Sequence, residues 1–294
     1  MPSAKLEKIA VVVFVHDRFS SAINCLESVD EALIWSESSI KKLVVLDGLS
    51  TKAQFELNVR KREAFKEVCI EQGWEVRDRC RNLGLKKNIE TSLDLLSASF
   101  DKFFVVEDDL LVSKDFFDRG LSALSKWQVY CGSSFVKMPR SSLARLSFFN
   151  CWGWGAVSSI WQEFRRHDQR RIVSECLTDV EKSKLTADGS YPYDLMCHRF
   201  ICDPSYQTWA LPFYCFILLS NIRIGVSSHS VIDLGLSGCN RENKRLSATF
   251  CNFVTVNSDE CIDEFYTSAF RRLYGPSRLG LLVLRLRQYM RSLL

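Results

Sequence analysis

The sequence predicts an α/β protein built around a mostly parallel central sheet, and three observations carry that expectation. Continuous apolar runs recur through the first half with helix-like segments between them. Each run closes on carboxylates or other polar residues. Over 294 residues, 47% hydrophobic and 25% charged side chains allow a sizeable core in one large domain or two small ones.

The elements follow in order. "KIAVVVFVHDR" reads as a first buried strand, and "SSAINCLESVDEALIWS" has helical spacing at Ile23, Leu26, Val29 and Leu33. "KKLVVLDGLS" is a second strand closed by Asp47 and Gly48, followed by a charged helix over about residues 52–72 and a short third strand, "WEVRDR". "NLGLKKNIETSLDLLSAS" is a loop entering a helix, and "KFFVVEDDLLV" is the fourth strand. Strands alternating with helices imply parallel pairing, and open sheets of that kind bind ligands beyond the C-terminal strand ends. His16, Asp17, Arg18, Asp47 and the row Glu107, Asp108, Asp109 all fall there.

The second half is less regular. "FFNCWGWGAVSSIWQEF" combines aromatic and small residues before a helix, a further helix starts near Thr208, and "IRIGVSSHSVIDLGLSG" reads as a strand and a turn-rich loop. No repeat or linker marks a boundary. The expectation is one unit over 1–264, with a nucleotide-binding half at about 1–125 and an acceptor-side half at about 126–264.

Residues 265–294 form a separate basic, amphipathic segment with six arginines and no Lys, Asp or Glu; the rest of the chain is slightly negative although the net charge is +4. That segment either closes the domain or lies on anionic lipid as a peripheral membrane contact. The longest apolar run, 211–219, contains Pro212 and is far short of the roughly 20 residues of a membrane span. No secretory leader is read at the N-terminus, so the twelve cysteines are expected to be reduced thiols in a cytoplasmic protein. Cys197, His198 and Cys202 lack a second ligand pair and make a weak zinc site.

Three adjacent carboxylates raise one another's pKa. A hard divalent cation relieves that cost, and Mg2+ or Mn2+ binds one or two protein carboxylates together with substrate phosphates. The competing reading is that these acids cap the next segment or pair with arginines.

"VVVFVHDR", "LVVLDGLS", "RNLGLKKNIETSLD", "KFFVVEDDLLVSKDFF" and "FFNCWGWGAVSSIWQEF", in this order, resemble GT-A-fold glycosyltransferases. The resemblance is to the N-acetylglucosaminyltransferase I family and its bacterial relatives, and covers about residues 8–245, more loosely in the second half. It implies the GT-A fold, a Rossmann-like three-layer sandwich. It also implies an inverting, metal-dependent transfer from a UDP-sugar to a glycan or lipid-linked acceptor in surface polysaccharide or lipooligosaccharide synthesis. No nucleic acid is expected as a partner, and the enzyme would work in the cytoplasm or at the cytoplasmic face of the inner membrane.

Carried over by residue, the resemblance makes Asp109 the metal ligand, Asp108 a sugar or ribose contact and Glu107 a residue facing the donor sugar. Arg18 and Asp47 would hold base and ribose. Arg81, Asn82, Gly84 and Lys86 would pass the diphosphate or the donor sugar, and Trp154 and Gly155 would line the sugar site. Among Asp188, Asp194, Asp203 and Asp233, the resemblance favours Asp203 as the base that takes the acceptor proton. "VIDLGLSGCN" keeps Asp233, Gly235, Ser237 and Gly238 of the family loop but not its later histidine, for which His229 is a weak substitute. A sugar-phosphate nucleotidyltransferase and a non-catalytic glycan-binding module are the rival readings. The first lacks its glycine-rich loop in "HDRFSSA", and the intact acidic row argues against the second.

Overall fold

The computed structural model describes residues 7–36, 38–49, 55–132, 142–186, 193–227 and 231–233. The first apolar run is β1 (Ile9–Val15), and it is buried on both faces. Ala10, Val12 and Phe14 enter one core, while Ile9, Val11, Val13 and Val15 enter a second. Strict alternation between two cores is what a strand covered by helices on both sides requires. α1 (Phe19–Ile34) packs on the second core through Ala22, Cys25, Leu26 and Val29, the spacing read from the sequence. β2 (Ile40–Leu46), α2 (Phe55–Glu71), β3 (Glu75–Asp78), α3 (Leu85–Ser99) and β4 (Lys102–Glu107) complete the alternating half. Its strands lie in the order β3-β2-β1-β4, all parallel.

β5 (Leu110–Val112) leaves that sheet, and α4 (Phe116–Lys126) follows it. The sheet continues through β6 (Val129–Cys131), β7 (Ala144–Leu146), β8 (Trp154–Val157) and β9 (Ile224–Val226) in the order β4-β8-β6-β9-β7. β8 runs antiparallel to both β4 and β6, and β7 antiparallel to β9, so the other six strands share one direction. The mostly parallel, three-layer α/β architecture is therefore present, and the expected division near residue 125 falls within one continuous sheet. β6, β7 and β8 are strands that the sequence did not announce; in β8, "WGWG" lacks an apolar run. Gly155 explains the close strand contact there: a Cβ would meet Phe104 Cδ1 at 2.7 Å and the Phe103 carbonyl at 3.0 Å.

The remaining layer comprises α5 (Ser158–Arg165), α6 (Gln169–Glu175), α7 (Asp179–Leu185), α8 (Tyr193–Cys202) and α9 (Ala210–Leu219). α9 is apolar on all sides, so it is buried rather than half-solvated. Its start at Ala210 is close to the expected one, while α8 had not been separated from its aromatic surroundings. The last described element, β10 (Val231–Asp233), pairs antiparallel with β5 in a small ribbon, bringing the backbone of Asp233 opposite Leu110. No helix among the described residues is long and apolar enough to cross a membrane.

Candidate active site

The C-terminal ends of β1, β2, β3 and β4 lie along one edge because the strands are parallel and in register, Val15 beside Leu46 and Phe14 beside Glu107. β4 ends at Glu107, and Asp108 and Asp109 form the turn into β5. Three contacts hold that turn in place. The Asp108 N–H donates to the Phe14 carbonyl at 3.2 Å, the Cys25 thiol to the Glu107 carbonyl at 3.4 Å, and the Val112 N–H to Ser28 Oγ at 3.1 Å. Beneath it, Phe116 and Phe117 of the "KDFF" stretch pack edge-on against Phe104 at 5.7 and 5.2 Å, which fixes β4 against α4.

Arg18, at the end of β1, ties the two aspartates together. Its Nη1 donates to Asp109 Oδ2 at 2.7 Å and its Nη2 to Asp108 Oδ1. The arginine pairing weighed as the competing reading is thus present in the structure. Asp108 is nearly inaccessible, and burial pushes its carboxyl up to about 6 even though Arg18 pulls it down. Asp109 is more open, and only its Oδ2 is engaged among the described residues. One uncommitted, hard carboxylate oxygen beside a partly neutralised neighbour fits a divalent cation with Asp109 as the direct ligand and Asp108 behind it. The described residues contain no group of three His, Cys, Asp or Glu that could hold a metal unaided. Phosphate or water oxygens would therefore have to complete any shell.

Beside the turn lies a cavity of about 270 Å³, with Arg18, Asp47, Asn82, Gly84, Glu107 and Asp108 on its wall. Six of the residues expected in the site are brought together there. Asp47 does more than face the cavity: its Oδ1 accepts from the Gly48 and Leu83 N–H groups at 2.9 and 2.8 Å, and its Oδ2 from Gly84 at 3.0 Å. The same carboxylate therefore shapes the 82–84 loop, leaving one acceptor position on Oδ2. The loop lies on Gly48 so closely that any Cβ there would overlap the backbone of Arg81 and Asn82. Gly84 has φ 75°, the left-handed region, as the loop turns into α3. Buried Arg62, which sequence reasoning passed over within a charged helix, supports the platform: its Nη1 donates to the Asp47 carbonyl at 2.5 Å and its Nη2 to Asp78.

The structure places five of the expected site residues away from this cavity: Arg81, Lys86, Trp154, Gly155 and Asp203. Lys86 is turned away from the cavity; its Nζ donates to Gln169 at 2.9 Å and lies over the Phe200 ring at 5.3 Å, a bridge from α3 to α6 and α8. Arg81 is exposed and is not on the cavity wall. Trp154 is fully buried, stacked on Trp209 at 5.4 Å and edge-on to Phe149 at 5.3 Å. It is a core residue, and Gly155 serves strand packing. Asp203 follows α8, and its carboxylate is spent locally. Oδ1 accepts from the Ser205 N–H and Oγ–H at 2.9 and 2.5 Å, and Oδ2 from Arg199 Nε at 3.2 Å. The Ser205 hydroxyl, then its backbone and Arg199, hold this carboxyl below its ordinary range, which makes it a poorer base. Asp194 is buried, with Oδ2 3.6 Å from Lys182. Asp188, His229, Gly235, Ser237, Gly238 and the 265–294 segment lie outside the described residues, as does the side chain of Asp233.

A polar residue of the cavity wall carried no role in the sequence reading. Asn88, only 3% exposed, lines the wall from the first turn of α3. The signal was available: Asn88 and Ser92 are four apart on the face that carries Ile89, Leu93 and Leu96 into the core.

The nine described cysteines are free thiols, and Cys197 lies 4.0 Å from Cys215 in the core rather than at a metal centre with Cys202, which is exposed.

No protein-family model and no curated protein matches the chain. Among solved structures, it is similar to TarS from S. aureus, with TM-score 0.45, 11% identity, and coverage of 97% of this chain and 79% of that one. It is also similar to mannosyltransferase PcManGT from Pyrobaculum calidifontis, solved with GDP-Man and Mn2+, at TM-score 0.42 and 10% identity over 99% of this chain and 75% of that one. An active-site mutant of LgtC matches at TM-score 0.41 and 13% identity, covering 85% of this chain and 86% of that one.

Proposed function

We propose that this chain is a metal-dependent glycosyltransferase of the GT-A type that takes its sugar from a UDP-sugar, with residues 1–264 as the catalytic unit. The observation that carries the reading is the juxtaposition of the Asp108–Asp109 turn with a cavity walled by Arg18, Asp47 and Asn82, at the C-terminal edge of parallel strands. A cavity of about 270 Å³ is just below the range of roughly 300–1,000 Å³ that encloses a whole small ligand. It suits one part of a longer molecule, such as the base and ribose of a nucleotide whose remainder extends past the acidic turn. A nucleotidyltransferase reading is less well supported, because the wall after β1 is built from His16 and Arg18 rather than a glycine-rich loop.

In this reading Asp109, with its open oxygen, holds Mn2+ or Mg2+, which when bound stabilises the negative charge of the departing diphosphate. Asp108 holds Arg18 and stays out of water. Arg18, fixed by two carboxylates, keeps its guanidinium at the cavity mouth, where it meets the nucleotide. Asp47 orders the loop over which the nucleotide lies, and Glu107 faces the donor sugar. The acceptor hydroxyl loses its proton to a carboxylate other than Asp203. We take the acceptor to be a glycan or glycolipid, the transfer to be inverting, and the pathway to be surface polysaccharide or lipooligosaccharide synthesis, with residues 265–294 as a peripheral membrane contact.

The direct test is UDP release from UDP-glucose, UDP-galactose and UDP-N-acetylglucosamine, with and without Mn2+. Manganese-dependent release that EDTA abolishes is expected with at least one donor. No release from any donor, together with no manganese-dependent UDP binding, overturns the reading.

A further inference from the structure

The outer edge of the parallel half carries positive charge that no carboxylate balances. β3 pairs with β2 on one side and has no further strand beyond it among the described residues. Val76 packs against the second core, so alternation sends Arg77 and Arg79 to the opposite face, where α3 lies. Arg79 bears this out by donating from Nη2 to Thr91 Oγ1 and Ser92 Oγ at 3.2 and 2.8 Å. Burial first, and then the neighbouring Arg77, hold the Arg79 guanidinium below its ordinary value, so two like charges lie close together. Arg81 and Lys87, both exposed, continue the row into α3. The side chains of Arg77, Arg81 and Lys87 have no hydrogen bond or ion pair among the described residues. Nearby acids are engaged elsewhere: Glu75 with Lys41 at 3.1 Å, Asp78 with Arg62 and with Lys66 at 2.9 Å, and Asp94 with Arg165 at 2.9 Å. Lys87, Thr91 and Leu95 follow one another at four-residue spacing on the outer stripe of α3, and Leu95 is 52% exposed.

We propose that this β3–α3 edge docks on an anionic lipid bilayer, with Arg77, Arg81 and Lys87 at the headgroups and Leu95 entering the interface. Charge complementarity sets the sign of the partner. The exposed leucine beside the cations favours a bilayer over a soluble polyanion, which has no apolar layer to receive it. The surface lies in the parallel half of the molecule and is separate in sequence from residues 265–294. It adjoins the cavity, because Asn82, Gly84 and Leu85 of the cavity wall lie between Arg81 and Lys87 in the chain. Docking there would hold the cavity beside the headgroups, where a lipid-borne acceptor is presented; only this last consequence rests on the transfer reading above.

Sedimentation of the full chain with lipid vesicles, in the absence of nucleotide, tests the surface, with thermal unfolding as the folding control. Phosphatidylcholine vesicles containing about one-third phosphatidylglycerol should bind the protein more tightly than phosphatidylcholine alone, and added salt should weaken that binding. Arg77→Gln combined with Lys87→Gln should weaken it by about fivefold for each charge removed. Leu95→Ser should weaken it several-fold while leaving its salt dependence unchanged. Arg170→Gln combined with Arg223→Gln removes the same charge from exposed arginines in the second half and should change little. Heparin serves as the soluble polyanion for comparison. The proposal is overturned by equal binding to both kinds of vesicle or to neither, by an Arg77 and Lys87 double variant that binds like wild type, by an equal loss in the Arg170 and Arg223 pair, or by a loss confined to heparin. UDP release is a separate measurement, so any of these outcomes leaves the glycosyltransferase reading standing, and failure of UDP release leaves the surface standing.

Discussion

Around the ends of β1, β2 and β4, polar side chains keep part of their hydrogen-bonding capacity unused, as at Asp109 Oδ1 in the acidic turn and, on the cavity wall, at Asp47 Oδ2 and the Asn88 amide of α3. In the half built on β8, α8 and α9, the conspicuous side chains are consumed. Trp154 is enclosed by Phe103, Phe149, Trp209 and Phe213, and Asp203 by Ser205 and Arg199. Both regions carry motifs that attract attention in the sequence. What separates them is whether the polar atoms still have an opening, which depends on packing and not on residue type.

The widest separation between the regions should come from Asp109→Asn. Removing its charge is expected to reduce transfer by on the order of a thousandfold, measured as UDP release, while the melting temperature stays close to wild type. Trp154→Ala should do the reverse. It empties the centre of an aromatic cluster and is expected to cost about 3–5 kcal/mol in denaturant unfolding. Trp154→Phe, which keeps most of the packing, should retain donor KM; a rise in KM in a well-folded Trp154→Phe protein would return this residue to the sugar site.

Asp78 probes the support beneath the cavity. Burial raises its pKa, but hydrogen bonds from Arg62 and Lys66 outweigh that and hold it below the ordinary value. A depressed folded pKa contributes stability above the unfolded value of about 3.9 and loses it as pH falls through the folded one. The stability gap between wild type and Asp78→Asn should therefore be about 1 kcal/mol at pH 7, and should close in acid below the ordinary aspartate range. A gap independent of pH would mean that shape rather than charge is what Asp78 supplies.

The smallest effect belongs to Asp203→Asn. Its carboxylate only closes a turn, so kcat should stay within about twofold of wild type, since surface turn contacts matter by no more than ~0.5 kcal/mol. A loss of several hundredfold would make Asp203 the base after all.

The parallel half was legible because its strands are covered on both faces and announce themselves as unbroken apolar runs. The acidic turn was legible because three adjacent carboxylates at the end of an apolar strand must meet a positive partner or water, and Arg18 meets two of them. The Arg18 bridge was only half legible. Its position at a strand end could be read, but its choice of partners depends on the register of β1 against β4, set by residues some ninety positions apart. β8 went unread because its residues are selected for close approach to Phe103 and Phe104, a demand that leaves no local periodicity. The fate of Asp203, by contrast, was available locally, since an aspartate two residues before a serine invites the turn it makes.

The ribbon of β5 and β10 bears on how this protein is made. Leu110, Leu111 and Val112 emerge early in translation, yet their partners, Val231, Ile232 and Asp233, come far later, after the whole aromatic layer. That pairing must wait for the intervening chain, whereas β1 and β4 are both complete once Glu107 has been made. On the ribosome, the acidic turn would therefore wait with one flank bare while the whole aromatic layer is made, and the site would reach its final shape only once the last described strand is in place.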